Sequence, residues 1–459
     1  MLLTCWLEIV TQWRPAFHQH RLWRRAVARA LASLTAIGRR TLSRSIFARG
    51  RQHQDWSAEY KLHARSHWKA DDLFQSVLSR ALPLCLDPFI TVAIDDTRLR
   101  KTGRHIETAF FQRDPLSPKF RFNLMWGLRF LQLSLLVPLY RSDQQASPRG
   151  LPVRFVECPA VKRPSRKAPE QQWEIYRKVC KTENLSQRAV GILKSLREAL
   201  DQAGAGNRKL LIVGDNSFCN RTLFTAPLAH TELAVRTRKD IRLCHQAVPA
   251  SGRFYDVNKF TPDQVRLNQA IAWSTVPVFH GGQWRNIRFK EVTAVYWQTG
   301  AKKRPLRLIV VGSIPYQVPS RKRLHYHEPT YVLTTDLTTP AGNLLQAYFD
   351  RWQIEVNHRE EKDTLGVGQA QLTAKHSVAR QPAFVVAAYS ALLLAGLLTY
   401  GPARHHAYQP LPKWRRKASR PSCLDLLTVL RREITQHPTV LEPLGFNSDL
   451  KTLVLTAAA

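Results

Sequence analysis

The residues best suited to chemistry lie in one short stretch, AYFDRWQIEVNHREEKDTLG, where Tyr348, Arg351, Glu355 and Lys362 follow one another at intervals of three, four and seven. At about 100° per residue, an α-helix puts Arg351 about 60°, Glu355 about 20° and Lys362 about 40° to one side of Tyr348. One carboxylate, two bases and a tyrosine then share a stripe roughly 60° wide. His358 and Arg359 flank that stripe as further cations for phosphate, whereas Glu360 and Glu361 fall on other faces. A solvated face of i, i+4 ion pairs is the plain alternative. An amphipathic helix, however, puts apolar residues on its buried stripe and scatters its charges. A single carboxylate aligned between cations suits a metal ion held beside a polyanion.

Two other acidic positions stand out. DPFITVAIDDTRL runs through Ile, Thr and Val and stops at Asp95-Asp96, while RKLLIVGDN is a short apolar strand stopping at Asp215. Alternation along a strand sends Asp95 and Asp96 to opposite sides, so only one of them can face a shared site. Carboxylates gathered at strand ends are costly unless a cation neutralises them. Mg²⁺ takes such hard oxygen ligands, with phosphate and water completing its octahedron. The sixteen histidines show no metal-ligand spacing, and the seven cysteines, odd in number and without a CxxC pair, support neither a zinc ribbon nor a disulfide scaffold.

The elements that must carry these residues follow from composition and periodicity. Residues 1–85 read as a helical, basic N-terminal region, its seven-arginine segment RLWRRAVARALASLTAIGRRTLSRSIF broken at Gly38. A helix–turn–helix-like DNA-contacting module and a basic-faced bundle both fit it. Three strand-like runs after Pro88 suggest an antiparallel meander, and Arg141 to Pro169 reads as a Pro, Ser and Arg-rich connector. A long helix with a break near Asn184 leads to the apolar strand, a helix at about 221–229 and the strand TELAVRT. The expected organisation is a core in residues 86–240, an inserted β-rich domain in 241–340, the second part of the core in 341–405 and a basic C-terminal region in 406–459.

Charge narrows the partners. The chain of 459 residues carries a formal net charge of +35, spread over its whole length. Such a protein attracts nucleic acid through phosphate contacts that salt weakens steeply. A ribosomal-type basic protein and a binder of anionic membranes share that charge, but 44% hydrophobic content argues for a folded protein rather than a basic tail. The longest apolar run, Ala383 to Thr399, reads as a buried core helix rather than a membrane span, and the cysteine usage fits a reducing cytoplasm.

The spacing Y-x2-R-x3-E-x6-K formed by Tyr348, Arg351, Glu355 and Lys362 resembles the signature of the DDE transposases of bacterial insertion sequences. Ile94-Asp95-Asp96-Thr97, with Lys101 and Gly103 following, resembles the first acid motif of that family, and Ile212 through Phe218 resembles the second. The resemblance covers about residues 88 to 400. It implies an α/β fold with an RNase H-like mixed sheet flanked by helices and split by a β-rich insertion before the final helix. It also implies that Asp95, with Asp96 as the competing assignment, joins Asp215 and Glu355 as ligands of two Mg²⁺ ions, for which Mn²⁺ can substitute. Arg351 and Lys362 would meet phosphates at an element end, and Tyr348 the same backbone. A tryptophan of the insertion, Trp273, Trp284 or Trp297, would stack on a flipped base. The implied activity is cleavage at the ends of an insertion sequence and strand transfer into target double-stranded DNA by at least a homodimer, in the bacterial cytoplasm at the nucleoid. A nuclease without strand transfer and an inactive DNA-binding relative are the alternatives.

Overall fold

Gly38 takes a positive φ of 76°, a left-handed conformation that costs glycine little, and so divides the arginine-rich segment. The computed structural model of the chain describes residues 1–444 apart from 116, 119, 144, 318–323 and 416–419. On either side of that glycine lie helices α1 (Leu2–Thr11), α2 (His20–Thr35), α3 (Leu42–Phe47), α4 (Ser57–Ala64) and α5 (Ala70–Ala81). Strands β1 (Phe89–Arg100), β2 (Phe110–Arg113), β3 (Leu124–Val137) and β4 (Arg149–Glu157) follow, then helices α6 (Glu170–Thr182) and α7 (Leu185–Leu200). Asn184 is the break expected in the long helix: its side chain caps the start of α7 by accepting from Gln187 N.

Next come β5 (Lys209–Gly214), α8 (Arg221–Phe224), β6 (Thr231–Arg236), β7 (Leu243–Gln246), β8 (Tyr255–Phe260), α9 (Pro262–Leu267), β9 (Ser274–His280) and β10 (Gln283–Val295). They are followed by α10 (Gln298–Ala301), β11 (Leu306–Val311), β12 (Pro315–Gln317), β13 (Leu324–Tyr326), β14 (Thr330–Thr334), α11 (Ala341–Asp350), α12 (Trp352–Arg359), α13 (Lys375–Tyr400) and α14 (Cys423–Gln436). Ten strands hydrogen-bond into one mixed sheet in the order β2-β3-β1-β5-β6-β14-β11-β10-β9, with β4 on β3, so the fold class is α/β. The chain divides into two compact units, one of Met1–Leu86, Asp96–Cys180 and Ile354–Ala459, the other of Asp87–Asp95 and Lys181–Gln353.

The first unit is built on α13. This is the one helix among the described residues long and apolar enough to cross a membrane, and most of it is buried in protein. Helices α1, α2, α4, α5 and α14 and strand β4 pack on it. Phe384 of α13 meets Trp13, His63 and Trp68 at ring-centroid distances of 5.6, 5.1 and 5.9 Å. Each buried tryptophan here has an outlet for its N–H: Trp6 donates to Ala388 O, Trp13 to Leu73 O and Trp68 to Leu62 O. Glu433 of α14 accepts from the backbone N–H of Leu2 and Leu3, at 3.1 and 2.7 Å, and so caps α1 from far along the chain.

The arginines of the N-terminal region are partly spent inside this unit. Buried Glu59 receives Arg49 at 2.8 Å, Arg25 at 3.5 Å and Arg29 at 3.6 Å. Burial brings the Arg29 guanidinium down to about 10 despite Glu59 beside it. Arg40 likewise turns inward, donating to the Ser33 and Leu34 carbonyls. The segment expected as a connector contains β4, eight residues of which pair with β3. Its Pro152 sits where the register of that pair shifts, at the kind of irregularity where a strand tolerates a missing N–H. The expected meander is also rearranged, since β2 pairs with β3 and β3 is the neighbour of β1.

In the second unit β5 lies parallel to the first half of β1 and β6 parallel to β5. Residues 241–340, expected as an inserted domain, are β-rich, and four of their strands extend the sheet beyond β6. The helix expected at 221–229 is the shorter α8. Helix α11 lies on this sheet and is stitched to β9 through Gln346, which accepts from Phe279 N at 2.7 Å and donates to Phe279 O at 3.0 Å. Of the basic C-terminal region, α14 is described, while 416–419 and the residues after 444 lie outside the described residues.

Candidate active site

Strands β1 and β5 are apolar up to their acids because both faces are covered; β5 stops just before Asp215, whereas β1, expected to stop at Asp95-Asp96, carries both acids within it and runs on to Arg100. Their register pairs Ala93 with Val213 and Ile94 with Gly214. The next residues are Asp95 and Asp215. Neighbouring strands stand about 4.8 Å apart and register partners project to the same face, so the two carboxylates leave the sheet side by side. Gly214 makes the turn possible: a Cβ there would meet the Ile94 side chain at 3.0 Å and that of Phe218 at 3.3 Å. Asp215 remains extended and caps the following turn, accepting from Ser217 N at 2.9 Å and from Ser217 Oγ at 3.2 Å.

Tyr348, near the end of α11, comes to the same place. Burial raises its hydroxyl above the usual tyrosine value; Arg351 and Arg236 pull it back, Asp215 adds to the rise, and Arg351 also hydrogen-bonds the hydroxyl. Asp215, Tyr348 and Arg351, chosen from separate motifs, are thus gathered in one unit together with Asp95. Arg236 was missed by sequence reasoning. It ends β6, the parallel neighbour of β5, and the signal was available in the RTRK that closes the strand TELAVRT. Arg236 also lines a cleft of about 760 Å³ with Asn216, Arg238, Lys239, Arg266 and Tyr331.

Asp96 points to the other face of β1, in the first unit, where Arg98 Nη2 lies 3.7 Å from its carboxylate. Glu355 is half-buried on α12. The ideal stripe is interrupted twice: α11 and α12 meet at Arg351, and Glu360–Thr364 forms a π-turn. That wider turn has a cause in Glu360, which is drawn inward to the Tyr389 hydroxyl and Cys423 N. Lys362 lies inside it, so the α-helical angle assigned to Lys362 does not hold. His358 is buried with its Nδ1 3.4 Å from Glu361 Oε2, whereas Arg359 is exposed.

The three tryptophans separate clearly. Trp273 lies under Arg288 and Lys290, at 5.1 and 4.8 Å from its ring centroid. Trp297 packs on Phe224 and over Gly300. Trp284 is exposed, just after the Gly281-Gly282 turn that joins β9 to β10. No group of three or more His, Cys, Asp or Glu able to hold a metal is gathered among the described residues. The strand pairing supplies two hard carboxylates, a donor set that fits Mg²⁺ and leaves positions for phosphate and water oxygens. Comparison of the sequence with models of known families and with curated proteins finds no match in either.

Proposed function

We propose that this chain is a DNA transposase of the DDE type, which cleaves phosphodiesters at the ends of an insertion sequence and joins the freed 3′-OH to target DNA. The observation that carries this reading is that the parallel register of β1 and β5, which pairs Ile94 with Gly214, is followed at once by Asp95 and Asp215, with Tyr348, Arg351 and Arg236 about Asp215. The strand order β4-β3-β1-β5-β6, with β5 and β6 running parallel to β1, supports an RNase H-like core.

Asp95 and Asp215 would hold the divalent ions, and Glu355 is the third ligand that the family signature implies. Mg²⁺ or Mn²⁺ bound there supplies a Lewis acid for the phosphodiester and an activated attacking oxygen. The chain's own residues do the rest. Arg351 and Arg236 attract and orient the phosphates, and Lys362 and the exposed Arg359 are further cations for DNA. Tyr348, buried and kept protonated by its raised hydroxyl, offers a neutral donor to the same backbone. Handling two element ends requires at least a homodimer, and the site of action is DNA in the bacterial cytoplasm.

The test is Asp215→Asn and Glu355→Gln in the full chain, assayed on duplexes carrying the terminal repeats that flank the gene. Removing a ligand worth several kcal/mol of charge stabilisation lowers cleavage by about 10³-fold or more while DNA affinity stays within about threefold. Divalent-metal-dependent cleavage retained in both variants overturns the reading. Cleavage without joining to a target plasmid would reduce it to a nuclease.

A further inference from the structure

One surface in the first unit has no place in that chemistry. Strands β2 and β3 form an antiparallel hairpin whose register sets Phe111 opposite Trp126 and Arg113 opposite Leu124. Alternation puts these four side chains on one face, and Gln112 and Met125, both buried, on the other. The first face is left open: Phe111 is 67% exposed, Leu124 57%, Phe122 65% and Phe120, near the tip, 92%. Phe111 lies 5.0 Å from Trp126, and the Arg113 guanidinium sits 5.6 Å from the centre of the Phe122 ring. Trp126 is fixed by donating to Gly103 O.

Hydrogen bonds tie the described residues near the tip. Asp114 N donates to Asn123 O at 2.9 Å, Asn123 N to Ser117 Oγ at 3.2 Å and Arg121 N to Pro118 O at 3.1 Å. Arg100 adds an ion pair to Asp114 at 3.0 Å. Three phenylalanines exposed to water among exposed Arg113 and Arg121 call for a partner with flat apolar faces and negative charge. A second copy of this face would set those arginines against their own equivalents, a like-charge arrangement that disfavours pairing.

We propose that this face of the β2–β3 hairpin is a stacking platform for nucleic-acid bases that are unpaired or splayed from the duplex. The rings supply sequence-tolerant stacking and the arginines meet the flanking phosphates. The proposal shares with the transposase reading only its polyanionic partner, because binding here needs neither carboxylates nor metal.

The experiment uses the full chain without divalent metal. A short single-stranded oligonucleotide carrying 2-aminopurine, and a duplex of the same length, are titrated against the parent and Phe120→Ala/Phe122→Ala. Loss of stacking on two rings lowers single-strand affinity by about tenfold or more and abolishes the 2-aminopurine signal, while duplex affinity changes by less than about threefold. Phe122→Trp retains binding and Phe122→Leu does not, since the ring rather than its apolarity is required. Unchanged single-strand affinity, or full binding by Phe122→Leu, overturns the proposal. So does a variant whose only change is a loss of self-association in sedimentation, which would make this a contact between copies. Asp215→Asn, silent in this assay, separates the two ideas: a catalytically dead chain that still stacks bases leaves the platform standing.

Discussion

Carboxylates meet arginines in two places, with opposite outcomes. Around Glu59 three guanidinium groups converge on one buried acid, and the charge is settled within the chain. Where the pairing of β1 with β5 stops, the strand register brings two acids next to each other, with Tyr348, Arg351 and Arg236 about one of them. The first arrangement is complete without any visitor. The second gathers like charges, which only a cation makes comfortable. Basic residues in a strongly cationic chain are therefore not equivalent: those facing Glu59 hold helices together, and those beside Asp215 are the ones the proposed function assigns to phosphate.

The sharpest way to break this contrast is to change the acids one at a time. Asp95→Asn should lower cleavage by about 10³-fold, whereas Asp96→Asn, on the opposite face beside Arg98, should stay within about tenfold of the parent in the same gel assay. The reverse order would exchange the two roles. Glu59→Gln should act on the other side of the comparison, leaving Arg29 and Arg49 buried without their acid and lowering stability by about 3–5 kcal/mol in urea unfolding, with activity per folded molecule unchanged.

Asp336 gives a smaller effect with a pH signature. Burial alone would raise its carboxyl, but Lys209 Nζ at 2.7 Å and the Thr338 and Thr339 donors hold it below the usual range. A depressed carboxyl stabilises the fold above its unfolded value near 4, and that contribution is lost as pH falls further. Asp336→Asn should thus cost about 1.5–3 kcal/mol at pH 7, with the difference from the parent shrinking below pH 4 in thermal scans. Least of all, Arg236→Gln should weaken DNA binding alike for all sequences and reduce the slope of log affinity against log salt by about one.

What could be read from the sequence was governed by range. Asn184 as a helix break, Gly38 as a divider and the acid after LLIVG are local signals, and each is where its chemistry put it. Strand β1, by contrast, runs on through Asp95-Asp96 to Arg100 because its second half has a partner in β3, which lies further along the chain. The burial of Ala383 to Thr399 was legible because a long apolar run with no second one like it has little else to do. The π-turn that displaces Lys362 was not legible, since it depends on Tyr389 and Cys423, in distant segments, donating to the Glu360 carboxylate. Strand β4 was hidden by Pro152, which reads as a loop until its partner strand shows the register shift around it. Arg236 could have been found by asking what ends the parallel neighbour of an acidic strand.

The dependence of α1 on Glu433 has a consequence for how the protein comes off the ribosome. The first helix is made at once, but the carboxylate that caps Leu2 and Leu3 emerges some four hundred residues later, and α13, on which α1, α2, α4 and α5 pack, only shortly before it. Until then the early helices have only one another and β4 to pack on, and the apolar sides that face α13 stay open. A chain terminated by a premature stop before Lys375 would therefore not yield a smaller soluble protein. It would leave the apolar sides of α1, α2, α4 and α5 uncovered, a state prone to aggregation.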